Sequence, residues 1–140
     1  ALLNPSNKEV VILPDTSMPG SVTYSPNGNY IAWGARHQHS ENAYFPRLLK
    51  VATREMDAAI FRDDASAAAD RVFYTAYVPG SRQLIMLSYN QAVLYDIKTG
   101  SVIRKFPGTS ETAVTAASLS PDGKIFAATS DNNIRIWKMD

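Results

Sequence analysis

"SLSPDGKIFAATSDNNIRIWKMD", residues 118–140, closes the sequence, and its reading decides the fold. A Pro-Asp-Gly turn leads into one apolar run, and Asp131, Asn132 and Asn133 separate that run from another ending in Trp137. Ile134 and Ile136 alternate with Arg135 and Lys138, the pattern of a strand covered unevenly on its two faces. The stretch is either a hairpin on an arbitrary domain or the last copy of a repeat.

It is a copy. Sixteen residues separate Pro121 from Trp137, and the same interval separates Pro79 from Tyr95 in "YVPGSRQLIMLSYNQAVLY". Both stretches read as strand, Pro-and-Gly turn, strand, Asn-bearing turn, then a strand ending in an aromatic. A third copy starts at "VTYSPNGNYIAWGA", with Pro26 and Gly28 in the same turn. Its next strand, "RLLKVA", is delayed by an insertion, "RHQHSENAYFP". The hairpin after the aromatic recurs too: "VLYDIKTGSVIRKFP" aligns on "ALLNPSNKEVVILP", and "LLKVATREMDAAIF" fits the same frame. Asn4, Lys50, Asp96 and Lys138 are then 46, 46 and 42 residues apart.

In the clearest unit the spacing predicts strands over residues 72–77, 83–88, 92–97 and 102–106. Pro-Gly, Asn-Gln and Lys-Thr-Gly supply the turns, Gly100 being able to take positive φ without strain. Regular short strands leave a sandwich, a barrel or a propeller. A four-strand unit of about 40–45 residues selects an all-β propeller.

The chain resembles WD-repeat β-propellers, most closely in "LSPDGKIFAATSDNNIRIWKMD". The resemblance implies a structural tetrad in which a turn Asp, a strand Ser or Thr, a His and the Trp bond one another. Asp131, Thr129 and Trp137 fit three of those places; the stretch "GTSETAVT" supplies no His. Tyr89 and Leu87 replace the Asp and Ser in the middle repeat, so no tetrad forms there. One propeller domain is expected over 1–140: the last strands of a blade (1–14), a blade with an inserted loop (21–61), a blade (71–107) and a partial blade (113–140). Propellers close with about 4–8 blades. The expectation is therefore an incomplete ring, from a trimmed or excised piece without an initiator Met, completed by further polypeptide.

Composition narrows the function classes. Hydrophobic residues make up 45% and charged residues 19%, which suits a globular domain. Net charge is +1 with Lys and Arg scattered, so neither nucleic acid nor a membrane surface is expected as a partner. No apolar run approaches the roughly 20 residues that cross a bilayer as a helix, and "ALLNPSNKEV" lacks the features of a signal peptide. The chain has no cysteine, which excludes disulfides and thiol chemistry and fits an intracellular setting, cytoplasm or nucleus.

Motifs that carry chemistry are few. His37, His39 and Glu41 alternate in "HQHSE" and could converge on a metal from an extended segment; a polar solvated loop is the expectation. Asp63, Asp64 and Asp70 in "RDDASAAADR" lack the Gly and closing Glu of a calcium loop, so this stretch reads as a linker. Neither a nucleophile elbow nor a phosphate-cradling loop is present. No catalytic residue, cofactor or metal site is expected.

The inserted loop is the functional candidate. The resemblance implies that it shares a partner-binding face with the loops between blades, here residues 36–46, 15–20, 62–71 and 108–112. Arg36, His37, His39, Tyr44, Phe45 and Arg47 are the expected partner-binding residues, with Tyr, Phe and Arg of the types enriched at interfaces. The reading is a non-catalytic scaffold that binds other proteins. The alternative is a propeller enzyme, such as a hydrolase, lactonase or quinone-dependent dehydrogenase, with its site in the central channel.

Overall fold

A computed structural model describes residues 2–4, 9–11, 20–36, 44–56, 72–88, 91–107, 114–130 and 133–140. All its regular elements are strands. β1 (Leu2–Asn4) and β2 (Glu9–Val11) form a two-stranded sheet. β3 (Val22–Tyr24), β4 (Tyr30–Arg36) and β5 (Tyr44–Lys50) form a three-stranded one. β6 (Tyr74–Tyr77), β7 (Gln83–Leu87), β8 (Gln91–Asp96) and β9 (Val102–Pro107) make a four-stranded sheet. β10 (Val114–Leu119), β11 (Ile125–Ser130) and β12 (Asn133–Lys138) make the last. Every pairing is antiparallel between consecutive strands. In the second sheet the start of a fourth strand shows as a bridge between Leu49 and Met56. Residues 57–61, where that strand was expected, lie outside the described residues.

The repeat is built into the turns. In Ser25-Pro26-Asn27-Gly28, the Ser25 hydroxyl donates to Asn27 Oδ1 (2.8 Å) and accepts from the Tyr30 N–H (2.9 Å). In Ser120-Pro121-Asp122-Gly123, the Ser120 hydroxyl donates to Asp122 Oδ1 (2.6 Å) and accepts from the Ile125 N–H (2.9 Å). Gly28 and Gly123 both stand at φ 72°, each donating its N–H to the Ser carbonyl at 2.8 Å. Glycine reaches that conformation without the steric cost an L side chain bears. The two turns are the same object, 95 positions apart.

Alternation along the strands then assigns faces. From β7 and β8, Leu84, Met86, Val93 and Tyr95 pack with Ala32 and Leu48 of the preceding sheet. The alternate residues Ile85, Leu87, Ala92 and Leu94 pack with Phe126 and Ala128 of the following sheet. The four-stranded sheet is thus buried on both sides, which is why "LIML" and "AVLY" read as unbroken apolar runs. Across the second contact Tyr74 meets Phe126, ring centroids 5.8 Å apart.

Three local fits lock the sheets together. A Cβ on Gly34 would lie 2.7 Å from Val72 Cβ, so only glycine lets β4 come this close. The Thr75 N–H donates to Ser21 Oγ at 2.9 Å, joining β6 to the residue before β3. Arg104 of β9 lies over the Phe106 ring (4.6 Å) and donates to the Asp140 carbonyl (2.9 Å), joining the third sheet to the end of the fourth.

Candidate interaction surface

β4 and β5 pair over seven positions, from Tyr30–Lys50 to Arg36–Tyr44. The equivalent pair β7–β8 runs over five, Gln83–Asp96 to Leu87–Ala92. Both start four residues after the turn proline, so the whole difference falls at the far end. At about 3.4 Å per residue, the paired part of β4–β5 is roughly 7 Å longer than that of β7–β8. The insertion therefore lengthens a regular hairpin as well as adding loop.

Three of the six expected partner-binding residues, Arg36, Tyr44 and Phe45, lie on this extension, and Arg47 lies just before it. Arg36 faces Tyr44, Ala35 faces Phe45, and Trp33 faces Arg47 in the register. Arg47 is half-buried. His37 and His39 lie outside the described residues, as do the blade-linking loops expected beside them, Gly20 excepted. Trp33, across from Arg47, packs with Ile31 and Leu49, and its buried Nε1 has no hydrogen-bond partner among the described residues. This cluster lies in the part of the hairpin that matches β7–β8, on the face of Arg47.

The titratable groups elsewhere serve the fold. Asp96 Oδ1 accepts from the Lys98 and Thr99 N–H groups (2.7 and 3.1 Å), chiefly the Thr99 and then the Lys98 bond holding its carboxyl below the usual range. The Ser120 hydroxyl, then the Lys124 N–H, does the same for Asp122. Burial, with Tyr30 nearby, pushes the Tyr77 hydroxyl up to about 12. Burial also raises Tyr74, opposed by the Leu119 backbone. Among the described residues no three His, Cys, Asp or Glu side chains gather as a metal site.

Of the three residues expected in the tetrad, the structure describes Thr129 and Trp137. Thr129 pairs with Ile134 and Phe126 with Trp137, so alternation sets Thr129 and Trp137 on opposite faces of the sheet. The Thr129 hydroxyl bonds the Ala116 backbone, accepting from its N–H at 3.0 Å. Trp137 is half-buried rather than enclosed and stacks on Phe126, centroids 5.4 Å apart. Asp131 lies outside the described residues. The WD-like spacing identified the strand, but residue type alone did not show which face Thr129 takes.

Residues 100–138 match the WD40 family, described as WD domain, G-beta repeat. The chain carries a WD repeat. The matched segment starts at the Lys-Thr-Gly turn, crosses β9 and ends at Lys138 of β12. Among solved structures the chain is similar to hydrazine synthase of Kuenenia stuttgartiensis, at 15% identity and a TM-score of 0.67 over 93% of its length. It spans 35% of that chain. At this identity the likeness concerns fold alone, and that protein has β-propeller domains. No curated protein matches. The described sheets are blades of a WD-repeat-bearing propeller, unclosed among the described residues.

Proposed function

We propose that this chain is part of a propeller acting as a non-catalytic scaffold, and that a protein partner docks on the extended β4–β5 hairpin. WD40 repeats imply a propeller, commonly a protein-interaction scaffold. The observation that carries the reading is the hairpin itself: seven paired positions that carry Arg36, Tyr44 and Phe45 beyond the end of β7–β8, with Arg47 at their base. The two added pairs hold Arg36, Tyr44 and Phe45 in strand before binding, so less backbone entropy is lost there on docking.

The inner strands favour this over catalysis. β3, β6 and β10 read VTY, YTAY and VTAASL, without a carboxylate or a histidine. A channel-sited hydrolase or dehydrogenase needs such groups from several blades. The scaffold reading also implies further polypeptide that completes the ring, and an intracellular setting.

The test is comparative affinity capture with the chain and its Tyr44→Ser/Phe45→Ser variant, followed by calorimetric titration of any protein that distinguishes them. The reading expects at least one partner whose binding is lost while the variant melts as the parent does. Equal capture of every protein by both chains would sink it.

A further inference from the structure

Asn27-Gly28 is the only asparagine-glycine pair in the sequence, and it stands in the turn between β3 and β4. Every other asparagine precedes a residue with a side chain, which crowds the backbone nitrogen that follows it. Both residues of the pair are exposed, and a Cβ added at Gly28 would meet nothing within 4 Å among the described residues. Gly123, at the same place in the matching turn, is instead pressed against the third sheet. Its Cβ would lie 2.9 Å from Val78 Cγ1 and 3.0 Å from Pro79 Cδ.

An asparagine so placed is open to attack by its own backbone. The Gly28 nitrogen attacks Asn27 Cγ and gives its proton to water, Nδ2 leaves as ammonia, and a five-membered cyclic imide results. Water then opens the imide at one of two bonds. Breaking the bond from the Gly28 nitrogen to Asn27 Cγ restores the peptide and leaves aspartate at position 27. Breaking the bond to the Asn27 carbonyl carbon leaves isoaspartate, with the chain running through the former side chain. In either case one water enters and one ammonia departs, and nothing is oxidised or reduced.

The turn holds the reacting atoms in other bonds. The Gly28 N–H donates to the Ser25 carbonyl at 2.8 Å. Asn27 Oδ1 accepts from the Ser25 hydroxyl (2.8 Å) and from the Asn29 N–H (3.1 Å). Ring closure needs the Gly28 nitrogen freed and the Asn27 side chain turned toward it, so Ser25 restrains both partners. The hairpin behind this turn pairs over three positions, with Val22 65% and Tyr24 58% exposed. Short exposed elements open locally at small cost.

The two products differ in fit. Aspartate has a ready place, since Asp122 makes the same bonds in the matching turn, to the Ser120 hydroxyl and the Lys124 N–H. Isoaspartate puts an extra carbon into a backbone whose span is fixed by the bond from the Ser25 N–H to the Tyr30 carbonyl (2.9 Å).

We propose that Asn27 is a self-modifying site, converted by Gly28 and water to aspartate or isoaspartate. The Ser25 turn gates its rate and decides which product keeps the hairpin.

The 140-residue chain is aged in warm, mildly alkaline, non-denaturing buffer beside a synthetic peptide of residues 22–32, and peptide mapping by mass spectrometry follows position 27. The expected result is conversion in both, several-fold slower in the chain. Ser25→Ala speeds conversion in the chain several-fold. Ser120→Ala, the same lesion in the matching turn, leaves it at the parent rate, which separates the gate from a general loss of stability. Asn27→Asp melts as the parent does, and the isoaspartyl chain, isolated chromatographically from the aged sample, melts lower. An Asn27 still intact in the chain long after the peptide has converted fully overturns the proposal. So do equal rates in the parent and Ser25→Ala chains, or an isoaspartyl chain as stable as the parent.

Discussion

Gly34→Ala probes the closest approach between two blades. The new Cβ would lie 2.7 Å from Val72 Cβ and 2.8 Å from each of its methyl carbons. Carbon atoms settle at about 3.5–4.0 Å, so about 1 Å must be found at this contact. The obstacle is the stem of a β-branched side chain, itself 0% exposed in a packed cluster, so it cannot swing aside. Overpacking of this kind costs about 1–3 kcal/mol. Alanine recovers about 0.5–1 kcal/mol relative to glycine within a strand. The net loss is therefore about 1–2 kcal/mol, or roughly 3–8 °C in Tm for a domain of this size. Urea unfolding followed by far-UV circular dichroism measures it. A double-mutant cycle with Val72→Ala isolates the cause, because shortening Val72 makes room for the new methyl. The cycle should return a coupling of at least about 0.5 kcal/mol in favour of the double variant. Additive effects, or a Gly34→Ala chain as stable as the parent, would refute the proposed fit.

Arg54 stands at φ 58° where the aligned turn has Gly100 at φ 71°; Arg54→Gly should therefore raise stability by about 0.5–1 kcal/mol, the αL penalty exceeding the entropy glycine gains when unfolded, and urea melts check it. Tyr77→Phe removes a buried hydroxyl without a partner among the described residues, and should leave stability equal or higher at neutral pH. With Tyr77 raised to about 12 from 10.0, its contribution is fully present below pH 10 and lost as pH rises toward 12; Tyr77→Phe should flatten that alkaline decline in a pH series of melts. Asp122 is lowered from 3.8, so its contribution is present above that pH and lost as pH falls through the lower folded value; Asp122→Ala should weaken the acid dependence of the melts. Trp137→Ala should cost less than the full truncation of an enclosed core tryptophan, about 3–5 kcal/mol, since the ring is half-buried; tryptophan fluorescence-detected unfolding of Trp33 reads it.

Local signals carried most of the fold. The Pro-and-Gly turns and the sixteen-residue interval placed β7 and β8 to within a residue or two, because turn chemistry and two-fold alternation are properties of adjacent residues. The four-strand unit predicted from residue 72 starts its first strand at Tyr74. Val72 is instead pressed against Gly34 across the sheet contact. That fit depends on a residue 38 positions away and leaves no local trace. The faces were harder. Thr129 sits where the resemblance implied a partner for Trp137, yet the register turns it the other way. A shift of one residue reverses every side chain in a strand, and hydroxyl chemistry does not report register. At the candidate surface the insertion was visible as extra residues, whereas its conversion into two more paired positions of β4–β5 was not. Pairing of that kind depends on both strands at once.

The duplicated Ser-Pro-Asn/Asp-Gly turn has a kinetic consequence. Every bond that defines it closes within five residues, so it forms without waiting for distant chain. Such hairpins assemble in about 1–10 μs, fixing strand alignment before any sheet has met its neighbour. The slow search is then left to a few preformed plates that differ only in how they stack, which keeps sequence separation in the early contacts short and the folding nucleus local. A lesion in the turn, Ser120→Ala for example, should therefore slow refolding more than it speeds unfolding, whereas a lesion between sheets, such as Phe126→Leu, should do the reverse.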